Sequence, residues 1–247
     1  MMSLPIRKQS VQPKSDEASK RKRLSKKQEA RLLEIRSVIE TLDATYVEHP
    51  LGDLTEGQPY RTLIGCLISL RTKDEVTIPA SERLFALADT PEAMVTLSLE
   101  AIEQAIYPCG FYRNKAKTII EVSQALLEHH AGHVPDSIDE LLILKGVGRK
   151  TANLVVGLGH LKPAICVDIH VHRICNRLGW VNTKTPDDTE FALRDLLPVE
   201  LWQPINRVMV LHGRECCKPI GARCDTCPVQ PQCLQRDVKK RRPPPSL

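Results

Sequence analysis

Apolar residues recur along this chain at three- and four-residue steps over many short stretches, the period of helices that pack by one face. Leu32, Ile35, Ile39 and Leu42 form the first stripe, which begins near Glu29 and closes at Pro50 and Gly52. From there to about Gly159 the pattern predicts short helices split by breakers. A buried helix is expected over Leu63 to Leu70, followed by Glu82 to Leu87, Leu97 to Ile106, Lys115 to Leu127 and Ile138 to Leu144. Thr90-Pro91 has the form of an N-cap followed by a first-turn proline. Ser137, with Glu140 three residues on, has the form of a capping box. No stretch sustains the alternation of a strand, so the fold class expected is all-α.

A chain of 247 residues is long enough for one large domain or two small ones. With 42% hydrophobic and 26% charged residues it is neither globally disordered nor fibrous. Its apolar runs fall far short of the ~18 residues of a membrane span. The first thirty residues lack the apolar core of a secretory signal. The protein is therefore expected inside the cell and off the membrane, in the cytoplasm or nucleoid of a bacterium or the nucleus of a eukaryote. The net charge of +5 is uneven: residues 1–27 carry +7 and residues 234–247 carry +4, which leaves the body at −6. Such tails attract phosphate without regard to sequence. Any nucleic-acid contact by the body has to come from local clusters.

The segment Leu141-Leu142-Ile143-Leu144-Lys145-Gly146-Val147-Gly148-Arg149-Lys150 carries the first chemistry. An apolar helix ends, Gly146-Val147-Gly148 turns tightly, and a second helix begins near Arg149. Two glycines flanking one residue allow dihedrals that other residues resist. They also leave amides uncovered at a helix N-terminus, which suits a phosphate oxygen. Lys150 falls in the first turn of that helix. It is a candidate amine nucleophile, or a cation that binds phosphate. Asp168 stands at the start of another predicted helix, either as a plain N-cap or as a carboxylate held near Lys150.

Cys66, Cys109, Cys166 and Cys175 are scattered in apolar contexts and are expected in the core. Five more cysteines crowd into residues 216–233. Cys217, Cys224, Cys227 and Cys233 give the spacing C-x6-C-x2-C-x5-C, which suits zinc or an iron–sulfur cubane. Cys216, directly before them, is a competing ligand. Lys218 and Arg223 lie between the first two ligands, as phosphate contacts or as plain surface residues.

The run Gly146-Val147-Gly148-Arg149-Lys150-Thr151-Ala152-Asn153, then Val167-Asp168-x-His170, then His212-Gly213-Arg214 before the cysteines, resembles the endonuclease III family of DNA repair glycosylases. That family lies in the helix-hairpin-helix superfamily with a Gly/Pro-rich loop and a following aspartate. The resemblance spans roughly residues 29–235. It implies two α-helical lobes. Residues about 53–162 would form a six-helix barrel with the hairpin, and residues 28–52 with 163–236 a lobe bearing an iron–sulfur cluster. A basic tail (1–27) and a basic, Pro-rich tail (237–247) lie outside it.

The resemblance further implies a bifunctional DNA glycosylase and AP lyase that removes oxidised pyrimidines. Lys150 would form a Schiff base and β-elimination would cleave 3′ to the abasic site, with Asp168 assisting. Cys217, Cys224, Cys227 and Cys233 would hold a [4Fe-4S] cluster, Cys217 being chosen over Cys216 as the third residue after His-Gly-Arg. The partner would be double-stranded DNA containing damaged bases or abasic sites, bound by a monomer. DNA contacts are expected from Lys145, Gly146, Val147, Gly148, Arg149, Lys218 and Arg223. Arg71 stands where several members have glutamine, and Phe111 holds the place of the family's apolar wedge. Lys145 replaces a proline common before Gly-Val-Gly. A lysine at position 150 separates the chain from relatives that only excise bases. A monofunctional mismatch glycosylase is the alternative, with a non-catalytic DNA-binding module as a further class. His170 and His172 are expected to pack or to orient neighbours.

Overall fold

A computed structural model describes residues 25–46 and 56–238. They form eleven α-helices and no sheet: α1 (Lys26–Thr45), α2 (Pro59–Ser69), α3 (Asp74–Leu87), α4 (Pro91–Met94), α5 (Leu99–Ile106), α6 (Tyr112–His130), α7 (Ile138–Leu141), α8 (Arg149–Leu154), α9 (Ile169–Leu178), α10 (Pro186–Leu196) and α11 (Trp202–Glu215). The all-α expectation is met. The tails over 1–24 and 239–247, and the Pro50–Gly52 breaker, lie outside the described residues.

Local chemistry sets most helix starts. The Thr90 hydroxyl accepts the Ala93 amide at 3.3 Å, with Pro91 as first helical residue. Ser98 caps α5 at Ala101, and Thr185 caps α10 at Asp188. Two starts differ from expectation. Helix α1 begins at Lys26, because Ser25 and Gln28 form a reciprocal capping box, so residues 25–27 are not tail. The Ser137 hydroxyl caps nothing. Helix α7 is a single turn with an exposed first-turn Asp139 and Glu140, whose amides water can satisfy. It also stops at Leu141 rather than Leu144. Residues 142–147 turn through short-range bonds such as Leu144 N to Leu141 O (3.1 Å) and Val147 N to Leu144 O (3.1 Å). Leu144 stays buried while Ile143 is 82% exposed.

The buried side chains form two cores. One runs from Tyr60 to Ala164 and includes Leu63, Leu67, Leu84, Ile106, Ile119, Leu126 and Val155. The other joins Ile35, Val38, Ile39 and Leu42 of α1 to Ile174, Leu193, Ile205 and Met209 of α9, α10 and α11. Each such side chain contributes about 1.5–3 kcal/mol by leaving water. The first helix thus completes a lobe built mostly from the last third of the chain. The two cores meet at Ala164 and Ile165, between α8 and α9.

Polar bonds lock the lobes together. Gln203 Nε2 of α11 donates to the Gly157 carbonyl of the first lobe at 2.8 Å, while Asn206 Nδ2 holds the Cys166 carbonyl at 2.9 Å within the second lobe. The strongest tie is Glu190 on α10, almost fully buried. It accepts two bonds from Arg149 (2.8 and 3.1 Å) and one from Asn153 (2.9 Å) on α8, and pairs with Arg194 at 2.8 Å on its own helix. Sequence reasoning missed this hub, because its partners lie 37 and 41 residues apart.

Candidate active site between the lobes

The hairpin depends on one glycine for its shape and leaves the other for access. Gly146 adopts a φ of +77°, and a Cβ there would meet Thr118 Cγ2 at 2.9 Å. Gly148 has an ordinary φ of −93°, and nothing lies within 4 Å of where its Cβ would be. The expectation that both glycines serve dihedral freedom therefore holds only for Gly146. At Gly148 the missing side chain leaves the start of α8 open, and no side chain caps that helix. Val147 is buried and anchors the turn.

Lys150 follows, exposed, in the first turn of α8. It lines a cleft of about 440 Å³ whose walls come mainly from α2, α3, α8 and α11. Asp168 lines the same cleft. Its Oδ1 accepts the His170 and Val171 amides at 2.8 and 2.9 Å, so it caps α9 while bordering the cavity. The structure thus brings together the two residues singled out for chemistry. Asp168 is the N-cap of α9 and, with Lys150, one of the residues that line the cleft.

His170 sits behind the acid. Burial pushes its imidazole below the usual range, against the pull of Asp168. A neutral ring can accept at Nδ1, which lies 3.1 Å from Arg173 Nη2. His172 faces the Thr189 hydroxyl at 2.7 Å. Across the cleft, Arg214 of α11 pairs with Asp74, the first residue of α3, at 2.6 Å. Sequence reasoning quoted Arg214 only as a motif letter and did not see its partner.

The expected DNA contacts fall into three settings. Arg71 and Phe111 are both exposed, and the Arg71 guanidinium lies 5.0 Å over the Phe111 ring. Both adopt left-handed backbone, with φ of 55° and 58°, at roughly 1–2 kcal/mol each. Lys145 reaches out beside Glu121 at 2.9 Å. Arg149 points the other way in the protein alone. Its guanidinium is engaged by Glu190 and lies 4.5 Å from the centre of the Phe191 ring. What it offers at the hairpin is backbone. Arg223 is exposed and Lys218 partly so, on the cysteine loop.

Cys217, Cys224, Cys227 and Cys233 line one small cavity of about 20 Å³, with Ile174, Leu178, Ala222 and Val229 as apolar walls. Nitrogen groups surround the sulfurs. Arg177 Nη1 donates to Cys217 Sγ at 3.2 Å, Gln235 N donates to Cys233 Sγ at 3.4 Å, and His212 Nε2 lies 3.7 Å from Cys227 Sγ. Donors aimed at sulfur are the outer partners that thiolate ligands require. Cys216 lines the cavity too, and its sulfur donates to the Arg223 carbonyl at 3.3 Å. With His212 and Cys227 it forms a trio whose ligating atoms lie within 4.8 Å of one another. Residues and geometry are compatible with a metal centre. The scattered Cys109, Cys166 and Cys175 are buried as expected, whereas Cys66 is partly exposed in the cleft wall.

Fold and site define a two-lobed helical protein with a hairpin-borne amine and a helix-capping acid in one cleft. The family model of HhH-GPD superfamily base excision DNA repair proteins matches residues 64–199. Endonuclease III of Thermotoga maritima is 47% identical over 196 residues, covering 79% of this chain and 92% of that one. Endonuclease III of Escherichia coli is 36% identical over 189 residues, covering 76% and 90%. A solved endonuclease III–DNA complex, a trapped covalent intermediate with an estranged adenine, superposes with a TM-score of 0.74 at 33% identity over 86% of this chain and 97% of that one. The chain belongs to the endonuclease III family.

Proposed function

We propose that the chain is a bifunctional DNA glycosylase and AP lyase in which Lys150 is the nucleophile. The observation that carries this is the placement of Lys150 and Asp168 on one cleft, at two adjacent helix starts. The Lys150 amine attacks C1′ of a nucleotide turned out of the duplex, and the C1′–N glycosidic bond breaks as the base leaves. The Asp168 carboxylate, held through Oδ1, stabilises positive charge on the sugar and takes the proton released by the amine. The sugar ring opens to an imine between C1′ and Nζ. Loss of a C2′ proton then expels the 3′ phosphate, and water hydrolyses the imine to free Lys150. A related endonuclease III yields a trapped covalent DNA intermediate, which supports this route.

The substrate class is duplex DNA carrying oxidised pyrimidines or abasic sites, bound by a monomer. The open start of α8 receives a backbone phosphate. Lys145 and the backbone of Gly146, Val147, Gly148 and Arg149 flank it, and Arg71 and Phe111 occupy the gap left by the extruded base. Lys218 and Arg223 contact phosphate further along the strand. Cys217, Cys224, Cys227 and Cys233 would hold a [4Fe-4S] cluster, which when bound would staple residues 217–233 of the second lobe to one another. Iron and sulfide analysis tests this, and stoichiometric zinc without iron would contradict it. The lobes are residues about 53–162, and 28–52 with 163–236. No helix among the described residues is long and apolar enough to cross a membrane.

The test is incubation with an abasic duplex in borohydride. The wild-type chain should give a covalent adduct and a β-elimination product, and Lys150→Ala should give neither. On a duplex that still carries a mismatched or oxidised base, base release without a nick would favour a monofunctional mismatch glycosylase. Tight binding with neither product would favour a non-catalytic DNA-binding module.

A further inference from the structure

Lys115 of α6 is a buried cation that the chemistry above does not use. No carboxylate lies within ion-pair distance of it among the described residues. Its Nζ donates instead to the Ile68 carbonyl at 2.6 Å, at the end of α2, and to the Thr72 hydroxyl at 2.7 Å. Burial pushes its pKa below the ordinary lysine value. A desolvated ammonium fixed by a carbonyl and a hydroxyl is an unusual arrangement, because an apolar side chain would fill the space without the desolvation cost.

The two acceptors flank Arg71. The same Thr72 hydroxyl also accepts the Gly110 amide at 3.2 Å, and Gly110 precedes Phe111. The two loops are pressed together, since a Cβ on Gly110 would stand 3.2 Å from the Arg71 carbonyl oxygen. Each loop holds a non-glycine residue in left-handed backbone, Arg71 and Phe111, and these two side chains lie on each other. Strained backbone at exposed positions persists only where its surroundings over-determine it. Lys115 and Thr72 are those surroundings.

We propose that Lys115 is a positioning residue that fastens the loop after α2 to the start of α6, so that Arg71 and Phe111 form one wedge before DNA arrives. The inference rests on the assignment of Arg71 and Phe111 to the gap in the duplex. It implies that part of the cost of ordering this wedge is met by the fold rather than at binding.

The experiment compares cleavage of an abasic site in duplex DNA with cleavage of the same strand alone. Lys150 chemistry is common to both, whereas only the duplex has a gap to fill. The readout is the duplex-to-single-strand ratio of kcat/KM. Lys115→Met should lower that ratio by about tenfold, close to the effect of Phe111→Ala. Thr72→Val, which removes the shared hydroxyl, should lower it by roughly threefold, and Thr72→Ser should keep it. The Lys115→Met, Phe111→Ala double variant should fall by less than the product of the two single effects, because the clamp acts only through the wedge. An unchanged ratio in Lys115→Met and Thr72→Val, with a lowered one in Phe111→Ala, overturns the clamp and leaves the wedge standing. An unchanged ratio in Phe111→Ala overturns the wedge assignment, and the clamp with it. Should Lys115→Met fail to fold, the Thr72 pair decides the question.

Discussion

Two helix starts border the same cleft and are built in opposite ways. Helix α8 opens on Gly148, with no side chain on its amides and open space in front. Helix α9 opens on Asp168, whose carboxylate takes two amides. A bare start keeps its N–H groups and the positive end of its dipole for an anion from outside. A capped start uses its amides to fix an acid in place. The exposed Lys150 sits on the bare one, which in the proposed mechanism leaves it free to follow a sugar through covalent steps. The acid that must keep its place sits on the capped one. The division of labour in the cleft is thus a division between two ways of ending a helix.

The sharpest way to break this contrast is to separate charge from capping at position 168. Asparagine caps about as well as aspartate. Asp168→Asn should therefore melt within ~0.5 kcal/mol of wild type while single-turnover cleavage of an abasic duplex falls by about 10²–10⁴. Asp168→Ala should lose the cap as well, at ~1 kcal/mol. Intact cleavage in Asp168→Asn would reduce the residue to a cap. Next in size is the support beneath the bare start. Glu190→Gln leaves Arg149 and Arg194 without their buried counter-charge, at about 3–5 kcal/mol. Calorimetry should show a fall in Tm of roughly 6–20 °C.

A smaller effect comes from capping the bare start artificially. Gly148→Asp has room for its side chain. It should change folding stability by only a few tenths of a kcal/mol. Its charge at the proposed phosphate site should weaken affinity for an abasic duplex by at least about tenfold at low salt. The smallest is Gly146→Ala, which meets positive φ and the Thr118 methyl and should cost ~1 kcal/mol with binding little changed. Equal behaviour of the two glycine variants would remove the distinction between shape and access.

How much of this was legible in the sequence follows from contact distance along the chain. The Gly146–Lys150 hairpin, the Asp168 cap, the Thr90-Pro91 start and the cysteine spacing are local, so residue type and offset suffice to find them. The Ser137 box failed because its pattern assumes a helix longer than the single turn that forms. The Glu190 hub, the Asp74–Arg214 pair and the Lys115 clamp join residues far apart in sequence, and no periodicity marks them. Arg149 shows the limit most clearly. Its position in a phosphate-binding motif says phosphate, but its side chain finds Glu190. The placement of Cys216 beside His212 and Cys227 is equally invisible to spacing, which only says that one cysteine of five is spare.

The most direct test is to reduce the reaction of the wild-type chain on an abasic duplex with borohydride, digest the product, and locate the sugar remnant by mass spectrometry. The account predicts a single modified residue, Lys150. A remnant on any other lysine, or on the chain's amino terminus, would contradict it.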